Sequence, residues 1–327
     1  MAETNDKNLV ISVQGLKTCF FTEAGIVKAV DGVSFNIPYG ETLGLVGESG
    51  CGKSVAALSI LRLVPAPAGK ITEGKIIFEG KDLLLLPEQE MRKIRGRKIS
   101  MVFQEPMTSL NPVFTVGEQV MEAIRKHKKV SNKEARERTI ELFRKVEIPD
   151  PAIRIDEYPH QLSGGQKQRV MIAMALSLSP SLIIADEPTT ALDVTTEAQI
   201  LDLLTSLQKE YNMSMLLITH DLGVVAQAAQ NVAVMYAGKI VEYAPVEILF
   251  DSPLHPYTRA LLKSIPTITK NREKLKVIPG EVPIPLRFPE GCRFHPRCDV
   301  KDKRCETDAP EMLSCNNRMV RCWKVEN

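Results

Sequence analysis

Gly47-Glu48-Ser49-Gly50-Cys51-Gly52-Lys53-Ser54 matches the phosphate-binding pattern G-x-x-x-x-G-K-[ST], which carries meaning only between a strand and a helix. Both neighbours are present: Thr42 to Val46 reads as a buried strand, and Lys53 to Val64 as a helix stopped by Pro65. Glycines let the loop from Gly47 to Gly52 turn successive N–H groups inward at phosphate oxygens, and the following helix adds its positive end. In such a loop Lys53 reaches the β and γ phosphates and Ser54 offers its hydroxyl to Mg²⁺. Ser49, Gly50 and Cys51 complete the cradle. The surrounding N–H dipoles favour a lowered pKa for Cys51, yet a small side chain that fits the loop explains the residue without redox chemistry.

Outward from the loop, short apolar runs alternate with longer helical patterns from Val10 to Val241, the order of an α/β domain. Strands are expected at Lys75 to Phe78, Ile99 to Phe103, Leu182 to Ala185, Met215 to Thr219 and Asn231 to Tyr236, and helices at Gly117 to His127 and Asn132 to Val146. After Gly238 the texture changes, with prolines from Pro245 through Pro266 to Pro310 interrupting any long element. A boundary between Pro245 and Pro253 divides the chain into 1–245 and 246–327, with Leu254 to Ile265 as one amphipathic helix and an irregular remainder.

The chain has 327 residues and is 44% apolar, enough for a large domain and a smaller appendage. Its 42 Lys and Arg nearly cancel 40 Asp and Glu, so no global positive field is available to hold nucleic acid or an anionic membrane. The start, Met1 to Asn8, lacks the basic-then-apolar order of a secretory signal, and no run reaches the ~18 apolar residues of a spanning helix. A cytosolic chain is expected. Of the seven cysteines, Cys19 and Cys51 stand alone, whereas Cys292, Cys298, Cys305, Cys315 and Cys322 crowd the C-terminal stretch. In a reducing compartment such crowding points to metal rather than disulfides.

Leu162-Ser163-Gly164-Gly165-Gln166 narrows the reading, because L-S-G-G-Q resembles the signature of ATP-binding cassette proteins. The resemblance implies a P-loop nucleoside triphosphatase fold with a RecA-like core, an antiparallel β subdomain and a helical signature subdomain. It also implies Mg²⁺-dependent ATP hydrolysis by paired domains. Ser163 and the N–H groups of Gly164 and Gly165 open a helix, a second anion site, which by resemblance faces the γ phosphate on the opposite subunit. Asp186 and Glu187, at the end of Leu182-Ile183-Ile184-Ala185, match the Mg²⁺-supporting acid and the general base that polarises the attacking water. Gln104 resembles the family's Mg²⁺ and water ligand, Ala191-Leu192-Asp193 its interface-crossing loop, and His220 the histidine at the γ phosphate. Phe20 aligns with the aromatic that stacks on adenine, with Phe21 as competitor.

Two further stretches address what the motor drives. Gln104 to Pro112 looks like the segment found in oligopeptide, dipeptide and nickel importers, and His255-Pro256-Tyr257 resembles that branch's C-terminal extension. A peptide importer is implied, with nickel as the alternative and a soluble ATPase acting on nucleic acid as a more distant rival. The implied partners are two membrane permeases, a homologous second ATPase or a second copy, and indirectly an extracytoplasmic peptide-binding protein. The chain would then sit peripherally on the cytoplasmic face of the membrane. Cys292, Cys298, Cys305 and Cys322, separated by five, six and sixteen residues, resemble the cysteines that hold a [4Fe-4S] cluster in some members of this subfamily. Their gaps match neither zinc ribbons nor ferredoxins, and four thiolates also suit zinc. Cys315 leaves the fourth ligand open. The fold expected is therefore α/β with a small irregular C-terminal metal-cluster domain.

Overall fold

The computed structural model describes residues 8–104, 109–190, 192–264, 278–315 and 317–325. In chain order these form β1 (Leu9–Thr22), β2 (Gly25–Pro38), β3 (Thr42–Val46), α1 (Lys53–Ile60), β4 (Gly69–Phe78), β5 (Lys81–Asp82), α2 (Glu88–Ile94) and β6 (Ile99–Val102). There follow α3 (Val116–His127), α4 (Asn132–Lys145), α5 (Pro151–Arg154), α6 (Gly164–Leu176), β7 (Leu182–Asp186), α7 (Val194–Glu210), β8 (Ser214–Thr219) and α8 (Leu222–Ala228). The chain closes with β9 (Asn231–Tyr236), β10 (Lys239–Pro245), α9 (Val246–Asp251), α10 (Pro256–Lys263), α11 (Lys303–Thr307), β11 (Leu313–Cys315) and β12 (Arg318–Val320). Two compact units result, one drawn from 1–38, 42–84 and 218–327, the other from 39–41 and 85–217.

The first unit holds an antiparallel sheet in the order β2-β1-β4-β5. In it β1 is the central strand, with Val13 opposite Phe35 on one side and Ile76 on the other, all buried. The same unit carries the strand order β11-β12-β10-β9-β3, where β3 and β9 run parallel and the other neighbours antiparallel. Ala237 and Gly238 join β9 to β10, both with positive φ (46° and 82°), as a two-residue turn matched to strand twist requires. α1 is shorter than the sequence suggests. Arg62 turns left-handed (φ 52°), and Leu63 N–H bonds back to Leu58 O at 2.8 Å, so a six-to-one cap ends the helix before Pro65 acts.

In the second unit β6 and β7 pair in parallel, with Met101 opposite Ile184. Thr115 and Ser131 cap α3 and α4 by accepting the N–H groups of Glu118 and Glu134. Arg169 on α6 donates to Val146 O and the Glu147 carboxylate, both at 2.8 Å, tying the signature helix to the end of α4.

The small C-terminal metal-cluster domain expected from the sequence is not found in that form. The described tail residues belong to the first unit. β12 pairs with β10, Glu242 opposite Val320, and Phe294 joins a core with Tyr236, Tyr257, Val241 and Leu249. Among the described residues no group of three or more His, Cys, Asp or Glu is arranged to hold a metal ion. The prolines of this segment exclude long elements but not burial, because short pieces laid on an existing sheet share its core. The expected helix Leu254 to Ile265 appears as α10; buried Glu242 takes the N–H groups of Leu254 and His255, ending it on that side. Ile265 and Pro266 lie outside the described residues.

Candidate functional site

β3 is buried along its whole length and delivers the loop Gly47 to Gly52 directly to the start of α1. The glycine requirement is steric at both ends. A Cβ on Gly47 (φ 155°) would stand 2.1 Å from Met235 O, and one on Gly52 (φ 107°) 2.2 Å from Ala29 O. Gly50 is also left-handed (φ 76°) but faces open space. Lys53 is only 4% exposed. Its ammonium donates to Gly47 O at 2.8 Å and Glu48 O at 3.2 Å, so it lies along the loop it is expected to serve. Ser49 is in the loop and Ser54 in the first turn of α1. Burial pushes the Cys51 thiol up despite nearby Lys53, the opposite of a reactive cysteine.

Two further expected residues lie in this unit. Phe20 is half-buried on β1, its ring against Gly69, whose added Cβ would be 2.9 Å from it; Phe21 is 44% exposed, with the Lys70 ammonium 5.6 Å above its ring. His220 is exposed at the end of β8, directly before Asp221, which caps α8 by accepting Gly223 N–H at 2.7 Å.

The second unit holds the carboxylates and the signature. Asp186 ends β7 and is buried. Glu187, the next residue, has φ 45°, a conformation that costs a residue with a side chain about 1–3 kcal/mol. The turn brings its carboxylate to Gln104 Nε2 and Thr190 Oγ1, both 3.0 Å away. Two residues far apart in sequence, Gln104 and Glu187, are thereby joined. Ser163 caps α6 through a reciprocal pair: its hydroxyl accepts Gln166 N–H at 3.3 Å, and Gln166 Oε1 accepts Ser163 N–H at 3.0 Å. Gly165 has no room for a side chain without moving Thr196 Cγ2, 2.7 Å from an added Cβ, while Gly164 meets only Leu192 at 3.4 Å. Asp193 caps α7, its carboxylate accepting Thr196 N–H and Oγ1–H at 3.0 and 2.7 Å, bonds that hold it below the usual carboxylate range. Ala191 and the segment Glu105 to Thr108 lie outside the described residues.

The ABC transporter family model matches residues 30–190, and that of the oligopeptide/dipeptide transporter C-terminal region matches 241–305. The oligopeptide transport ATP-binding protein AppD of Bacillus subtilis is 53% identical over 318 residues, 97% of each chain. This chain belongs to the ABC transporter ATPases. The dipeptide transport ATP-binding protein DppD of Bacillus subtilis is 50% identical over 315 residues, covering 96% of this chain and 94% of that one. The dimeric ADP- and phosphate-bound ATP-binding cassette MJ0796 shares 31% identity at a TM-score of 0.65, over 72% of this chain and 98% of its own. The expected family and ATPase class are borne out, as is the α/β P-loop fold. No helix among the described residues is long and apolar enough to cross a membrane.

The extension's four spaced cysteines also converge. Cys292, Cys298, Cys305 and Cys322 line one cavity together with His255 and Trp323, whereas Cys315 sits on β11 opposite Arg318. The backbone N–H of Lys324 donates to the Cys322 sulfur at 3.4 Å. Burial pushes the bare Cys292 thiol up to about 11. A feature the motifs did not disclose is the partner set of Glu48. Its carboxylate is gripped by Arg297 at 2.7 and 3.0 Å, and its N–H donates to the Tyr257 hydroxyl at 2.9 Å. No local signal joins residues about 200–250 positions apart; only the fold does.

Proposed function

We propose that this chain is the ATP-hydrolysing subunit of a bacterial peptide importer, held at the cytoplasmic face of the membrane by two permeases and paired with a homologous ATPase or a second copy. The reading rests on a single observation: relatives named as oligopeptide and dipeptide transport proteins match it over nearly the whole length, extension included. Residues 1–245 form the nucleotide-binding domain in this reading and 246–327 the transporter-specific extension.

Within it, the N–H groups from Gly47 to Gly52 and the Lys53 ammonium hold phosphates. Ser54, Gln104 and Asp186 support Mg²⁺, Phe20 stacks on adenine, and His220 orients the γ phosphate. Glu187 takes the proton of the attacking water, and its bond to Gln104 keeps the carboxylate aimed before water arrives. In the capping box the Ser163 oxygen accepts an N–H, which leaves its own O–H to donate to a partner's γ phosphate. Gly164, Gly165 and Gln166 shape that helix end, and Asp193 lies on the loop toward the partner.

The four thiols line one cavity, and the resemblance of their spacing to that of cluster-holding members of the subfamily favours iron and sulfur over zinc, which four thiolates would also suit. The Lys324 N–H directed at the Cys322 sulfur is of the kind that stabilises a bound thiolate. Cys292, Cys298, Cys305 and Cys322 would thus hold a [4Fe-4S] cluster of structural role, with Cys315 outside the set. Protein purified without oxygen should carry iron and labile sulfide near four each, and the absence of both removes this assignment.

For the motor itself, the Glu187→Gln variant should bind ATP normally while turnover drops at least about 100-fold. Solute uptake by cells lacking the chain but expressing its permeases should be restored by the wild type and not by this variant. Retained uptake of peptides with the variant, or none with the wild type, defeats the proposal.

A further inference from the structure

The phosphate-binding loop is glycine-rich and needs an anchor, and the anchor comes from the far end of the chain. Arg297 sits one residue before Cys298, at the end of a short 3-10 turn, His295–Arg297. Its guanidinium is almost wholly buried, makes the two-pronged ion pair with Glu48, donates through Nε to Pro279 O at 2.9 Å, and lies over the Tyr236 ring. Tyr257 is fully buried against Tyr236 and Phe294, ring centres 4.6 and 5.4 Å away, and its hydroxyl accepts the Glu48 N–H. Both side-chain and backbone ends of one loop residue are therefore fixed by the extension. Glu48 O in turn is one of the acceptors that hold the Lys53 ammonium.

We propose that Arg297 is a positioning residue for nucleotide binding: through Glu48 it sets where the loop carries Lys53, which makes the extension a working part of the phosphate site. The inference rests on the ATPase reading above. A buried guanidinium paired in a fork cannot drift without stranding a charge, so the contact is held in one place rather than sampled. Arg297 directly precedes Cys298, one of the cysteines that line the cavity. A lysine at the position keeps the charge but not the fork.

The experiment measures ATP affinity by equilibrium titration and nucleotide-free melting temperature on the full chain. Variants are Arg297→Met, Arg297→Lys, Glu48→Gln, the Arg297→Met/Glu48→Gln double, and Arg293→Met. Arg293 is a matched control: it is buried in the same segment and pairs with Asp31 and Ala237 O rather than with the loop. Arg297→Met and Glu48→Gln should each weaken ATP binding about tenfold, and the double variant no further, as a shared interaction demands. Arg297→Lys should recover part of the loss, and Arg293→Met should lower the melting temperature with ATP affinity within about twofold of wild type. Multiplicative losses in the double variant, or equal affinity losses for Arg293→Met and Arg297→Met, would overturn the proposal, as would unchanged affinity in Arg297→Met. If Arg297→Met does not fold, Arg297→Lys and Glu48→Gln decide by the same criteria. A wild type that binds no ATP instead defeats the ATPase reading.

Discussion

Cys51 shows how a single position changes meaning between chain and fold. In sequence it sits among N–H dipoles that favour a thiolate; in the structure it is 1% exposed, and burial outweighs both those dipoles and Lys53. The native chain should therefore resist N-ethylmaleimide at Cys51 near pH 7.5, modified at least about tenfold more slowly than in the unfolded chain, as peptide mass spectrometry can follow. Rapid native labelling there contradicts the burial argument. Gly52 carries the opposite lesson. At φ 107° and 2.2 Å from Ala29 O, an alanine must displace backbone, so Gly52→Ala should cost about 2–4 kcal/mol in urea unfolding or abolish ATP binding. Stability and affinity both within error of wild type would show that β2 yields easily. The pattern names Gly47 and Gly52, but only the neighbouring strands, β9 and β2, reveal what each avoids.

At the scale of elements, α6 depends on Ser163 twice, as cap and as proposed phosphate ligand, and the two can be separated. Ser163→Ala should lose about 1 kcal/mol of stability as the capping bond disappears. Ser163→Asp keeps a cap but brings negative charge to where the partner's γ phosphate would approach. It should melt like the wild type while ATP-driven pairing and turnover fall at least about tenfold. Normal turnover in Ser163→Asp would leave Ser163 a cap and nothing more. Elements were read well from sequence where period and cap agree: α3 and α4 start at Thr115 and Ser131 caps with glutamate three residues on, and β3 and β9 fall at the expected residues. The end of α1 was not legible, because a left-handed Arg62 obeys no residue preference strong enough to announce itself.

Across the whole molecule, the extension is built into the unit that carries the phosphate loop. Tyr257, Phe294, Leu249 and Val320 are buried there, and β12 covers the open side of β10. A chain ending at Pro245 should expose this core, binding a hydrophobic dye and either aggregating or melting well below the full chain. A soluble truncation with wild-type melting would show that the extension is an appendage after all. The proline-rich texture suggested weak structure because local periodicity is blind to a segment that borrows its partner surface from elsewhere.

What sequence by itself determined is the chemistry: the phosphate loop, the signature serine and the strand-end carboxylates are short motifs whose function depends on neighbours within a turn or two, so their order announces them. What only tertiary structure decided is who stands beside whom. Gln104 meets Glu187, four distant cysteines surround one cavity, and Arg297 grips Glu48. Such contacts are set by how strands and turns pack, and packing leaves no periodic trace in the residues it brings together.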